Sequence, residues 1–230
     1  VKIALCFAGQ PRSFRKGYEF YKRNLLDEDV DVFIHSWNTD YNQEIIDLYK
    51  PKAYKFEDSM FDEDMDKKYP RVPDAIKHPA RFTVSSNYSI FQSSLLRIGY
   101  EVLTQPYDFV IRSRTDYAMN GRIPFGQLAK DKIYIPNCRI VPQRDFGNDQ
   151  FAFGSSVVMT KHMSAYLYLD YYYSQNVPMN GEDIMSANLH HHGLVGENLV
   201  YVDMNNPFPP GPHNGSSHSL IRDDYQNWSK

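Results

Sequence analysis

Two stretches of this chain carry almost no charged or amide side chains. Lys2–Ala8 reads KIALCFA, and Asp31–Trp37 reads DVFIHSW. A strand with one wet face alternates apolar and polar residues, so near-continuous apolar runs of this length belong to strands covered on both faces. Segments with helical spacing follow each run. Phe14, Tyr18, Tyr21 and Leu25 fall on one helical face, with Ser13 or a neighbour as the cap and an end near Leu26, and a second helix is expected near Gln43–Tyr49. A strand follows near Ala53–Phe56. Strand and helix in alternation predict an α/β fold built on a mostly parallel sheet with helices on its flanks.

The rest of the chain continues the pattern less regularly. Asp58–Lys68 is acidic, and Pro70, Pro73 and Pro79 follow, which reads as a long surface loop to about Arg81. Ser85–Gln105 is the best helix, with Ile90, Leu95, Ile98 and Val102 on its apolar face and Pro106 ending it. Short strands are expected up to Arg114 and at Lys132–Ile135, Arg139–Val141, Gln150–Phe153 and Leu199–Val202. Helices are expected at Val157–Tyr173 and Asp183–His191. Residues 205–230 are rich in Pro, Gly, Ser and His and form an irregular tail. No linker divides the 230 residues, so residues 1–230 are expected to form a single domain. The start at Val1, directly in a strand, fits a piece of a longer polypeptide.

Net charge is −3, which argues against nucleic acid as a partner and requires any phosphate affinity to come from local clusters. Cys6 and Cys138 are the only cysteines; they suggest neither a disulfide framework nor a zinc site, and point to a reducing, cytoplasmic compartment. No apolar run reaches membrane-spanning length, and no signal-peptide pattern opens the chain.

The residues with the most chemistry stand at strand ends. Asp108–Asp116 reads DFVIRSRTD, and period-two alternation puts Arg112, Arg114 and Asp116 on one side of an extended backbone. Two guanidiniums and an acid suit a diphosphate with a divalent metal, Mg²⁺ or Mn²⁺, the acid taking the metal or a ribose hydroxyl. A structural Arg–Asp pair is the alternative. The first strand ends in Ala8-Gly9-Gln10-Pro11-Arg12, where Gly9 lets backbone approach a base or phosphate and Arg12 reaches a diphosphate. An ordinary strand–helix turn would look the same. Asp149, before the run Gln150–Gly154, suits sugar hydroxyls or a general base, or is a plain turn residue. Glu182 and Asp183 open a helix, where acids serve as caps or as a base. His190-His191-His192 reads as a helix end, with Gly193 as its left-handed cap. His213 and His218 lie in the tail, as metal or phosphate ligands on a closing loop or as parts of a disordered end.

These segments, in this order, resemble the GT-A fold of nucleotide-diphospho-sugar glycosyltransferases. Phe7–Arg12, the helix through Asn87–Leu96, Val110–Asp116 and Asp149–Gly154 are similar, more narrowly, to small glycosyltransferases of large DNA viruses, phages and bacteria. The resemblance implies a Rossmann-like GT-A domain. It would pass a sugar from a UDP- or GDP-sugar donor to a hydroxyl of a glycan or glycoprotein acceptor, in the cytoplasm (the host's, if the source is viral). It makes Asp183, with Glu182 beside it, the catalytic base of an inverting reaction, with Asp149 as the other candidate. Ala8, Gly9, Gln10, Arg12, Arg112, Arg114 and Asp116 would then border the donor, and Asp116, His213 and His218 would ligate Mn²⁺ or Mg²⁺. Arg114 stands where many members keep the first acid of a metal-binding triplet. A catalytically silent glycan-binding domain of the same fold and a sugar-phosphate nucleotidyltransferase are the alternatives; the latter expects a longer, more basic phosphate loop than Gly9–Arg12.

Overall fold

In the computed structural model, residues 1–26, 29–71, 78–119, 121–136 and 147–202 are described. Among them, seven strands join in one sheet: β1 (Ile3–Ala8), β2 (Val30–Trp37), β3 (Ala53–Glu57), β4 (Phe109–Ser113), β5 (Ile133–Pro136), β6 (Ala152–Gly154) and β7 (Leu199–Val202). Their order is β3-β2-β1-β4-β6-β5-β7. β6 runs antiparallel to both neighbours, and every other pairing is parallel. The fold is therefore α/β, with a mixed but mostly parallel sheet. The expected strand at Arg139–Val141, the tail from residue 205, Cys138, His213 and His218 lie outside the described residues.

Side-chain alternation along the buried strands feeds two cores. Ile3, Leu5 and Phe7 of β1 pack with Phe109 and Ile111 of β4 against Phe14 and Tyr21 of α1 (Phe14–Asn24) and Ile45 and Tyr49 of α2 (Asn42–Tyr49). Ala4, Cys6 and Ala8 face the other way, with Val84 and Ile90 of α4 (Ala80–Leu103) and residues of α5 (Ser156–His162), α6 (Leu169–Ser174) and α7 (Gly181–His191). Helices thus cover both faces of the sheet, as the apolar runs require. No helix among the described residues is long and apolar enough to cross a membrane.

Four expectations need correction. The segment Asp58–Arg81 is not wholly loop: α3 (Glu63–Lys68) forms there, its first turn capped by Asp62, whose carboxylate accepts the Asp64 N–H at 3.0 Å, and α4 already starts at Ala80. Ser13 sits at φ 46°, and its side chain makes no capping bond to α1, although its carbonyl accepts the Gly17 N–H at 2.9 Å. The segment Val157–Tyr173 is not one helix. It breaks after α5, where Ser164 donates its hydroxyl to the Lys161 carbonyl at 2.8 Å, a local bond that competes with the helical ladder, and resumes through a 3-10 turn at Ala165–Tyr168.

The fourth correction concerns which face of α4 is buried. Leu95 and Val102 are exposed, whereas Thr83, Asn87, Ser89, Ser93, Ser94 and Arg97 are buried. Small hydroxyl side chains keep this face flat where it lies along β1 and β2, and local bonds satisfy them, as with Ser93 donating to the Ile90 carbonyl at 2.8 Å. The helix end after α7 matches expectation. Gly193 takes φ 65°, and the Leu194 N–H returns to the Leu189 carbonyl at 2.8 Å.

Candidate functional site

From β1 the chain builds outward through β2 and β3 on one side, then returns to lay β4 on the other side of β1. The two connections diverge beyond the carboxyl ends of β1 and β4, which is where open α/β sheets receive ligands. Residues 9–12 and 114–116 occupy that point.

The β1 turn is built on a left-handed glycine held by a buried network. Gly9 stands at φ +94°, a region that disfavours other residues. Its N–H donates to Ser89 Oγ at 2.6 Å. Ser89 Oγ lies 2.7 Å from His35 Nδ1, and His35 Nε2 lies 2.8 Å from Glu57 Oε1. His35 pairs with Ala8 across β1 and β2, and Glu57 ends β3, so this chain ties three strand ends to α4. His35 and Ser89 are fully buried. Burial lowers the imidazole pKa despite the neighbouring carboxylate. Each ring nitrogen of His35 faces one partner, and the Ser89 hydroxyl also lies within donating reach of the His35 carbonyl at 3.2 Å. Burial pushes the Glu57 carboxyl up, but hydrogen bonds from Lys55, His35 and Tyr88 outweigh it and hold the group at about 2. Ser89, His35 and Glu57 were not among the residues singled out in the sequence; a histidine near the end of an otherwise apolar strand was the signal for them.

After Gly9, the Gln10 side chain accepts from Arg12 Nε at 3.0 Å and from Nη2 at 2.8 Å. The Arg12 carbonyl accepts the Thr115 hydroxyl at 3.1 Å, which joins the two strand-end loops directly. The same loop abuts α1. A Cβ on Gly17 would lie 1.8 Å from the Thr115 carbonyl oxygen, so only glycine permits this approach.

The expected single row of Arg112, Arg114 and Asp116 is not what forms. Alternation holds through β4: Arg112 pairs with Cys6 and Ala152 and turns toward α5, while Ser113 meets Tyr21 of α1 at 2.6 Å. Extended backbone then stops, because the Tyr117 N–H bonds back to the Arg114 carbonyl at 3.2 Å and closes a turn. That turn carries Asp116 to the α1 side, where its charge reaches the Tyr21 and Tyr49 phenols. Arg114 forks onto it, Nε to Oδ1 at 2.8 Å and Nη2 to Oδ2 at 2.7 Å. The Asp116 side chain is 1% exposed, and that of Arg114 is 27% exposed.

Arg112 is separate and wholly buried. Its Nη2 donates to the Asn148 carbonyl at 2.5 Å and to His162 Nε2 at 3.3 Å. Nε and Nη1 have no hydrogen-bond partner among the described residues, nor does His162 Nδ1. Burial brings the guanidinium down to about 10 against the pull of Asp149's charge. Burial, with Arg112 beside it, keeps His162 neutral.

Asp149 and Glu182 come together across the sheet end. The Asn148 side chain accepts the N–H groups of Gln150 at 2.7 Å and Phe151 at 3.0 Å, which fixes the turn bearing Asp149. The start of α7 docks on that turn: a Cβ on Gly181 would meet Asp149 Oδ2 at 2.7 Å, and one on Gly147 would meet Met185 at 2.5 Å. Burial raises the Glu182 carboxyl, and the charge of Asp149 raises it further. Asp183 points elsewhere. It closes the helix cap with Asn180, whose amide donates to the Asp183 carboxylate and whose carbonyl oxygen accepts the Asp183 N–H at 2.9 Å.

Asp116 is the described residue expected to ligate a divalent cation. Both carboxylate oxygens accept from a guanidinium, and a cation seated there would lie beside the charge of Arg114. Among the described residues, no group of three or more His, Cys, Asp or Glu side chains is placed to hold a metal ion. Asp116 by itself, with both oxygens taken by Arg114, does not present the several oxygens that such ions gather around one point; His213 and His218, the other expected ligands, lie outside the described residues.

No family model matches the chain, and no curated protein sequence matches it.

Proposed function

We propose that this chain is a glycosyltransferase of GT-A type, moving a sugar from a UDP- or GDP-sugar to a hydroxyl of a glycan or glycoprotein acceptor. The observation that carries the reading is the pairing of two arginine-bearing strand ends, Gly9–Arg12 and Arg114–Asp116, at the divergence of the sheet, tied to each other by Thr115 and Arg12. Backbone near Gly9 faces the base and ribose. Arg12 and Arg114 meet the diphosphate, and Arg112 supplies a buried positive field behind it.

The acids answer the other half of the reaction. A carboxylate takes the proton of the acceptor hydroxyl, the oxygen attacks the anomeric carbon, and the bond to the diphosphate breaks with inversion. Glu182, desolvated and next to Asp149, is the better base of the candidates, because its raised pKa brings its basicity nearer to neutral pH. Asp149 positions Glu182 or a sugar hydroxyl, and Asp183 serves the helix cap. Negative charge building on the leaving diphosphate is met by fixed guanidiniums.

Thermal-shift measurements with UDP, GDP, CMP and their sugars test the reading. Stabilisation by one nucleotide family supports it and names the base. Stabilisation by glycans alone favours a binding module of the same fold, and no shift with any nucleotide contradicts the proposal.

A further inference from the structure

We propose that the site grips its nucleoside diphosphate without a divalent cation, and that the Arg114 guanidinium is the cation the diphosphate meets. The inference rests on the nucleotide reading above and goes beyond it. Of the two groups in the Arg114–Asp116 fork, the guanidinium is the partly exposed one, at 27%, while the carboxylate is 1% exposed. A phosphate arriving from solvent therefore encounters the positive partner first. A metal ion would have to displace two charge-assisted bonds to reach Asp116, and would remain next to a charge of its own sign.

Asp116 is then the counter-ion that the guanidinium holds before a phosphate arrives. It fixes the guanidinium in fork geometry, and the fork matches a phosphate as well as it matches a carboxylate. Binding exchanges one of its acceptors, a carboxylate oxygen for a phosphate oxygen. The turn at 114–117 supports this exchange without moving β4, because β4 ends at Ser113.

Calorimetric titration of UDP and GDP into the full chain, once with excess EDTA and once with Mn²⁺, tests the inference. The expected result is a Kd that agrees within about threefold between the two buffers, with Arg114→Gln weakening it about tenfold or more in both, as loss of a charged fork would. Asp116→Asn is expected to tighten binding, since the competing counter-ion is gone. Binding that requires Mn²⁺, or that collapses in Asp116→Asn while Arg114→Gln is unaffected, overturns the inference and leaves the nucleotide reading standing. Absence of binding by either nucleotide in both buffers overturns the nucleotide reading, and this inference with it.

Discussion

Ser89 Oγ accepts the backbone N–H of Gly9 at 2.6 Å, across 80 residues of chain. The bond sets the one turn whose left-handed glycine opens the β1 end. Ser89→Ala removes the acceptor and leaves the N–H and the His35 ring short of a partner in a buried setting. Urea denaturation is expected to show a loss of about 1–3 kcal/mol. Nucleotide affinity is expected to fall as well, because the turn loses its fixed conformation. Unchanged stability and affinity would contradict the role given to this network.

Gly17 tests the contact between α1 and the Thr115 turn. A Cβ there would overlap a backbone carbonyl, which has no rotamer to yield. Gly17→Ala is expected to lower stability by about 1–3 kcal/mol, as overpacking does, despite alanine's better helix propensity. A gain in stability, the usual result at an exposed helical glycine, would show that α1 stands farther from the turn.

The strand pattern was legible because burial on both faces leaves a plain trace: KIALCFA and DVFIHSW became β1 and β2 within a residue or two. The candidate site was legible in part. Gly9, Arg12, Arg114 and Asp116 do gather at one end of the sheet, since each follows a parallel strand. Their mutual arrangement was hidden, because alternation applies only while the backbone stays extended, and the turn after Ser113 redirects Asp116. The face of α4 was misread for a different reason. Periodicity assumes that apolar residues point inward, whereas Ser89, Ser93 and Arg97 are buried there through hydrogen bonds that no pattern reveals. Asp149 and Glu182 are far apart in the chain, and only the glycines at 147 and 181 allow their close docking.

Arg112 carries a buried charge with two nitrogens that have no hydrogen-bond partner among the described residues. A group retained only for stability would not be left in that state, since an apolar side chain of similar size avoids the desolvation. Arg112→Met is expected to lower stability by about 1–3 kcal/mol, since the Asn148 carbonyl and His162 Nε2 lose their donor, and to weaken nucleotide-sugar binding as well. A large drop in melting temperature with unchanged binding would make Arg112 a structural residue.

Glu182 gives the pH dependence its sign. Its folded carboxyl lies above the ordinary value of 4.5, so the folded chain holds that proton more tightly than the unfolded one. Its contribution to stability is present at low pH and is lost as pH rises through the folded value. Glu182→Gln is therefore expected to be more stable than the parent at neutral pH. In transfer assays the parent rate rises with pH as the carboxylate forms, and Glu182→Gln is expected to be slow and to lose that rise. A parent-like profile in the variant would move the base to Asp149.

The most direct measurement is donor cleavage: a panel of UDP- and GDP-sugars incubated with the parent chain and with Arg114→Gln, with free nucleoside diphosphate quantified. The account predicts release from one nucleotide family by the parent and a strong reduction in the variant. Release from none of the donors, or equal release by both proteins, would contradict the claim that sugar transfer takes place where β1 and β4 part.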